Sequence, residues 1–310
     1  MTSTPARLFD AMAEDYDCLE PWYEHLYSIL HPIVLNEIDR HGGPSFGPPK
    51  PPRHLSRPGF PGALFEESRQ PALRHRALDA GCGSGFQTAL LERLGYEVHG
   101  VDIAGRLLAV ARLRLPSTTL ALASIEALPY RDEGFDVITC CGSTLSFVDD
   151  PAAALRELSR VLKPGGRLLL ECEHRWSLDL AWTLVSALAG DSLGYGRSPR
   201  QAWRQLTRRP RERCTVTYPG YGELTLFTRR ELDSMLATAG LRPLRWWGIH
   251  TITNLIPSTV LHRERLGPLT AALYARLRVV DARLSTSSFA ARLANSLVVL
   301  AEKRPGTFRS

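Results

Sequence analysis

Ala77-Leu-Asp-Ala-Gly81-Cys-Gly83-Ser-Gly85 is a short apolar run that ends in an acid and then sets three glycines at alternate positions. Glycines so spaced, straight after a strand and straight before a helix, let backbone amides approach a nucleotide-like ligand with no Cβ in the way. A second apolar strand, Val98 to Asp102, ends in an acid 21 residues beyond Gly81 (81 to 102), where a ribose hydroxyl needs an acceptor. The two signals together predict a cofactor cradle at the carboxyl ends of parallel strands. Read singly, the glycines also fit a plain strand-to-helix turn and Asp102 a helix cap before Ala104.

The dinucleotide fingerprint places its third glycine three residues after the second, where this chain has Phe86. Asp79, two residues before Gly81, sets a negative charge where a pyrophosphate would be repelled, so a cationic ligand fits better. At these residues the chain resembles the class I S-adenosylmethionine-dependent methyltransferases, whose first motif is an acid followed by G-x-G-x-G. The resemblance spans about Phe9 to Tyr27 and Ala77 to Cys172, with weaker matches to the C-terminus. Ser124-Ile125-Glu126-Ala127-Leu128-Pro129-Tyr130 looks like the segment bordering adenine, Phe135-Asp136-Val137-Ile138 like the fourth strand, and Leu162-Lys163-Pro164-Gly165-Gly166-Arg167 like the turn into the fifth. The nearest flavour is the quinone-biosynthesis-like methyltransferases of small molecules, whose N-terminal helix often carries a tyrosine like Tyr16.

The resemblance implies an α/β fold: a doubly wound, seven-stranded, mostly parallel sheet of the Rossmann-like methyltransferase type, with helical and hairpin insertions capping the substrate. It implies S-adenosyl-L-methionine as cofactor and no metal. It assigns cofactor contacts to Tyr16, Asp79, Gly81, Cys82, Gly83 and Gly85, to Asp102 and Ile103 on the ribose side, to Ser124, Ile125 and Glu126 on the adenine side, and to Cys141 and Gly142 beside the sulfonium. One departure stands out: the family commonly puts an acid on the adenine amino group, and Ser124 occupies that position.

Composition limits the alternatives. A chain of 310 residues with 44% hydrophobic content can bury one large core with a sizeable appendage. No apolar run reaches the ~18 residues of a spanning helix, and residues 1–10 lack a secretion signal, so a cytoplasmic location is expected. Six scattered cysteines without C-x-x-C spacing argue against a zinc site or a disulfide framework, and Cys82, Cys140 and Cys172 read as packing. The formal charge of +6 suits an anionic substrate or surface and is poor evidence for nucleic acid.

Helical spacing over Phe9 to Glu37 predicts one or two lid helices, with a domain boundary at 42. Seven prolines between Gly43 and Gly62 predict a surface loop, taken as 43–72. Residues 73–175 form the cofactor-binding core, with strands near Ala77–Asp79, Glu97–Asp102, Thr118–Ala123, Phe135–Cys140 and Arg167–Glu173. Helices are expected near Phe86–Leu94, Gly105–Leu115 and Pro151–Leu162, the last capped by Asp150. The stretch 176–227 is an insertion: an apolar helix, an arginine-rich helix, and a hairpin around Pro219-Gly220-Tyr221-Gly222. Residues 228–310 return to the sheet, through strands Leu241–Ile249 and Ser296–Ala301, around a helical insertion over Leu255–Leu293.

Methyl transfer from a sulfonium mainly asks the protein to hold nucleophile and methyl about 3 to 3.5 Å apart and dry, which can supply ~7 to 11 kcal/mol. A general base is needed only if the nucleophile must lose a proton. His174 at the end of the fifth strand is the leading candidate, with Glu173 beside it and His250 after the sixth strand as further candidates. The loop Gly142–Phe147 offers hydroxyls that could orient a substrate. Arginines 197, 200, 204, 208, 209, 211 and 213 face only Glu212 in sign across their stretch; they suit a solvated face, an anionic small molecule, or peripheral contact with a membrane or lipid. The leading expectation is methylation of a small lipophilic or acidic molecule with no nucleic-acid partner. Competing readings are an RNA- or protein-modifying enzyme docking through its arginines, a nicotinamide oxidoreductase, and a protein that keeps the pocket without activity.

Overall fold

Successive strands are apolar on both faces, so the sheet has to be covered on both sides. Leu78, Ala80, Ile138, Cys140, Leu168 and Leu170 pack into one core cluster, and their neighbours Ala77, Val137 and Leu169 into another across the sheet. The computed structural model describes residues 4–13, 16, 20–39, 75–207, 213–218, 220–287 and 290–304.

Helices α1 (Thr4–Met12) and α2 (Pro21–Asp39) precede the sheet. Strands and helices then alternate as β1 (Arg76–Ala80), α3 (Phe86–Arg93), β2 (Glu97–Asp102), α4 (Gly105–Arg114), β3 (Thr119–Leu122), β4 (Phe135–Cys140), α5 (Pro151–Val161) and β5 (Leu162–Glu173). The insertion carries α6 (Leu178–Leu188), α7 (Pro199–Thr207) and a hairpin of β6 (Cys214–Tyr218) and β7 (Gly222–Leu226). The chain continues through α8 (Arg229–Thr238), β8 (Leu241–Ile249), α9 (Ser258–Leu261), α10 (Pro268–Leu284), α11 (Ala290–Leu293) and β9 (Ser296–Lys303).

Sheet order is β3-β2-β1-β4-β5-β9-β8, with β9 inserted antiparallel between β5 and β8. This is the expected doubly wound, mostly parallel sheet of seven strands. The sequence cues that place α5 hold in detail: Asp150 accepts from the amides of Ala152 and Ala153, and Pro151 occupies the first turn, where no amide partner is required.

One element differs from expectation. Leu162 to Arg167 was expected to be a turn, but β5 already starts at Leu162, which pairs with Phe135 before the register shifts to Val137 opposite Arg167. Gly165 at φ +75° takes up the extra residues, so the glycine pair works as a bulge and not as a break.

Leu26, Leu30 and Val34 of α2 cover one face of the sheet, while Leu155 and Leu158 of α5 and Leu232 and Leu236 of α8 cover the other. Among the described residues no helix is long and apolar enough to cross a membrane. The proline-rich Gly43–Gly62 segment and arginines 208, 209 and 211 lie outside the described residues.

Candidate active site

The turn after β1 holds Gly81 at φ +82° and Gly83 at φ +50°, a region costly for a residue with a Cβ. Space matters as well as conformation. A Cβ on Gly81 would fall on the Thr144 side chain, and one on Gly83 would meet the Tyr16 ring at 3.3 Å. The N-terminal tyrosine and the loop after β4 therefore close directly over the glycine turn.

Asp102, at the end of β2, accepts from the Gly83 amide through Oδ2 and from the Ala104 amide through Oδ1, both at 2.8 Å. Burial pushes its carboxyl up, against the opposing pull of those amides. It thus fixes the turn while lining the cavity beside it.

That cavity, about 680 Å³, is bordered by Tyr16, Gly81, Asp102 and Ile103 on one side and by Ser124, Ile125, Glu126 and Gly142 on the other. Eight residues expected to touch the cofactor therefore surround one space. Ser124 is engaged locally: its Oγ accepts from the Glu126 amide at 3.1 Å and donates to the Glu126 carboxylate at 3.2 Å.

Five expected contacts lie elsewhere. Asp79 is buried and does not rim the turn. Strand alternation directs its carboxylate into the protein, where Oδ2 accepts from Thr88 Oγ1 at 2.7 Å and Oδ1 from Thr139 Oγ1 at 2.8 Å. Burial pushes this carboxyl up to about 6, so it ties β1 to α3 and β4 and acts on a ligand only through its field. Cys82, Gly83 and Gly85 shape the turn from behind, Cys82 being buried with its thiol pushed up by burial. Cys141 points its buried thiol at the Leu169 carbonyl, leaving only its neighbour Gly142 in the cavity wall.

A second space of about 1,080 Å³ adjoins the first and is walled by rings: Phe9, Tyr16, Tyr23, Tyr27, Phe86 and Phe147. Asp79 and Asp102 are buried near these walls without an ion-pair partner among the described residues. Aromatic faces and unbalanced carboxylates suit a cationic ligand, so the residues present fit a sulfonium nucleoside.

The third space, about 640 Å³, lies under the insertion. Phe147 lines all three spaces, and Tyr23 and Tyr221 border the last two. Ser143, held at φ +58°, donates its amide to Glu171 Oε2 at 2.6 Å and its hydroxyl to Glu173 Oε1 at 2.9 Å. Asn295 Nδ2 donates to the other Glu173 oxygen at 2.9 Å. Burial raises both carboxyls, and repulsion from Glu171 raises Glu173 further, so this pair retains a proton that an exposed glutamate would lose.

His174 is buried and lines the same space. Its Nδ1 lies 2.9 Å from the Ala294 carbonyl, which only accepts, so Nδ1 carries the proton and Nε2 the lone pair. Burial lowers the imidazole to about 4 and keeps it neutral.

His250 does not line any of the three spaces. It follows β8 as expected, but its ring stacks on Trp22 of α2 at 3.6 Å, and Nδ1 sits 3.0 Å from Thr253 Oγ1. Burial, then repulsion by His25 and His262, lowers it well below the ordinary value.

The cysteines outside the turn behave as packing residues, with Cys140 and Cys172 fully buried. Much of the third space had no single-residue cue. Tyr218 and Tyr221 belong to a turn visible in the sequence and Arg197 to the arginine-rich stretch, whereas Gln205, His262 and Asn295 come from three separate segments. His262 gathers Trp22, Tyr23, Tyr218 and Tyr221 around itself at ring separations of 5.1 to 5.6 Å, and its Nδ1 meets Glu20 Oε2 at 2.6 Å.

Residues 78–170 match a family model described as a methyltransferase domain. Over 117 residues, 36% of this chain, the sequence is 38% identical to the ubiquinone biosynthesis O-methyltransferase of Xanthomonas oryzae pv. oryzae; the match takes in 48% of that relative. The chain thus spans about half the length of the curated relatives it matches. A solved S-adenosylmethionine-dependent methyltransferase from Thermotoga maritima, described as a possible histamine N-methyltransferase, aligns over 96% of this chain and 99% of its own, with TM-score 0.50 and 17% identity. A solved protein from Pyrococcus horikoshii OT3 aligns over 93% of this chain and 94% of its own, with TM-score 0.51 and 16% identity. At these identities the likeness to the solved structures establishes the shared fold.

Proposed function

From a chain whose residues 78–170 match a methyltransferase-domain model and whose sheet is that of a solved S-adenosylmethionine-dependent methyltransferase, we propose that it transfers a methyl group from S-adenosylmethionine to a small molecule seated under the insertion. The observation that carries this reading is the wall that the three spaces share: Phe147 lines all of them, and Gly142 lines the first two. A carboxylate- and ring-lined cofactor space opens beside an acceptor space holding a buried carboxyl pair.

The cofactor, when bound, supplies a methyl group on a cationic sulfur that becomes a neutral thioether on transfer. Asp102 would hold the ribose hydroxyls, Ser124 and Ile125 the adenine, and Gly81 with Gly142 would let the chain approach the amino acid end. Tyr16, Phe9 and Phe147 exclude water and present ring faces to positive charge. Glu173, whose raised carboxyl matches neutral pH better than the lowered imidazole of His174, accepts the proton that an acceptor hydroxyl or amine gives up. His174 Nε2 accepts a hydrogen bond that orients the acceptor.

The test is to add purified protein and S-adenosylmethionine carrying a labelled methyl group to a metabolite extract, and to search by mass spectrometry for small molecules that gain the label. Labelled products that disappear with Asp102→Ala support the reading. Label confined to RNA or protein, or no label beyond a heat-killed control, overturns it.

A further inference from the structure

Resting on the methyltransferase reading and its use of Glu173, we propose that Ser143 and Asn295 are positioning residues: they clamp the Glu173 carboxylate, one on each oxygen, aim it into the acceptor space and sustain its charged form. All three residues line that space. Ser143 Oγ donates to Oε1 and Asn295 Nδ2 to Oε2, both at 2.9 Å, so each oxygen carries one donor and keeps a lone pair for the acceptor. Burial and repulsion from Glu171 push Glu173 toward its neutral form, and donors on its oxygens oppose that pull.

The backbone of Glu173 is fixed by other bonds. Its amide donates to Ser146 Oγ at 3.1 Å, its carbonyl accepts from the Phe227 amide at 2.9 Å, and β5 pairs it with Ser296 of β9. The Ser143 hydroxyl and the Asn295 amide group are thus left to act on the carboxylate. Ser143 moreover stands where the backbone favours glycine, at φ +58° directly after Gly142 at φ +69°. A Cβ is costly in that conformation, so the serine contributes something glycine lacks, and what it adds is the hydroxyl on Oε1. Its own amide donates to Glu171 Oε2 at 2.6 Å, while its neighbour Gly142 lines the cofactor space. Asn295 comes from the other end of the chain. Its carbonyl accepts from the His174 amide at 2.7 Å and its amide donates to the Ile249 carbonyl at 3.1 Å, so the residue just before β9 sets both Glu173 and His174.

A readout that needs no acceptor is the carbon-13 titration of the Glu173 carboxyl in the full chain saturated with S-adenosylhomocysteine, its signal assigned by its loss in Glu173→Gln. Ser143→Gly removes the hydroxyl and relieves the backbone, so Tm should hold or rise; Asn295→Ala removes the other donor. In each, the midpoint is expected to move up by about one pH unit. Initial rates of labelled methyl incorporation into the metabolite extract should follow: the rising limb shifts by the same amount and the rate at neutral pH falls about tenfold, with S-adenosylhomocysteine affinity within about twofold. Either variant is decisive if the other folds poorly. A folded variant with an unchanged midpoint overturns the clamp, as does a rate lost without any shift of the limb, which marks packing alone. If the unaltered chain labels nothing in the extract, the methyltransferase reading falls and the titration still decides the clamp; if it labels and the midpoint stays in a folded variant, only the clamp falls.

Discussion

Two carboxylates of the site illustrate how a single residue serves both structure and chemistry. Asp102 accepts from the Gly83 amide of the glycine turn and from the Ala104 amide at the start of α4, and it lines the first space. Asp102→Ala is therefore expected to weaken S-adenosylmethionine binding by ~1 to 3 kcal/mol in calorimetry, and an unchanged affinity would refute its role. Glu173 has a raised carboxyl, so its basic form appears only as pH climbs above the ordinary carboxylate range. Turnover should accordingly rise with pH on that limb, and Glu173→Gln should flatten the limb while lowering kcat by roughly 10² or more. His174 has the opposite sign. Its folded value, about 4, lies below the ordinary 6.5, so its contribution to stability is complete above pH 6.5 and is lost as pH falls from there toward 4. The loss amounts to about 3 kcal/mol. Urea unfolding at neutral and acidic pH should show a steeper acid loss in the native chain than in His174→Gln.

Between elements, the lid helix α2 is fastened to the C-terminal insertion by one buried acid. Asp281 of α10 accepts from His25 Nε2 at 3.0 Å and from the amides of His250 at 3.0 Å and Ile252 at 2.6 Å. Asp281→Ala strands these donors, together with the Thr253 amide at 3.4 Å, and should cost ~3 to 5 kcal/mol in urea unfolding; Asp281→Asn, which keeps an accepting oxygen, should cost less. His25 and Asp281 stand 256 positions apart, and nothing local in either segment announces the other. The wall of the first space was legible because its parts follow the strands in order, from Gly81 to Gly142, each at the carboxyl end where such sheets bind ligands. Asp79 was misread as a rim charge because its neighbours form the turn, while alternation along β1 sends its side chain toward Thr88 and Thr139. His250 lies apart from the three spaces for a different reason: its place after β8 was visible, but the Trp22 ring that stacks on it comes from the other end of the chain.

On the scale of the whole molecule, cofactor and acceptor spaces are built from different stretches, the first mainly from residues before 150 and the second mainly from the insertion and the C-terminal part. The sheet joins them, so a ligand in the first space should stabilise the entire fold. At a hundredfold excess over its dissociation constant, S-adenosylhomocysteine should add about 2.7 kcal/mol and raise Tm by roughly 5 °C or more, whereas NADH should leave Tm unchanged. A shift with NADH alone would point to nicotinamide chemistry. The ring of Phe147 gives this joining a measurable face. As a wall common to the three spaces, it is where a ligand on one side would press on the other, and thermodynamic reciprocity then requires any factor by which the acceptor alters cofactor affinity to be returned in equal measure.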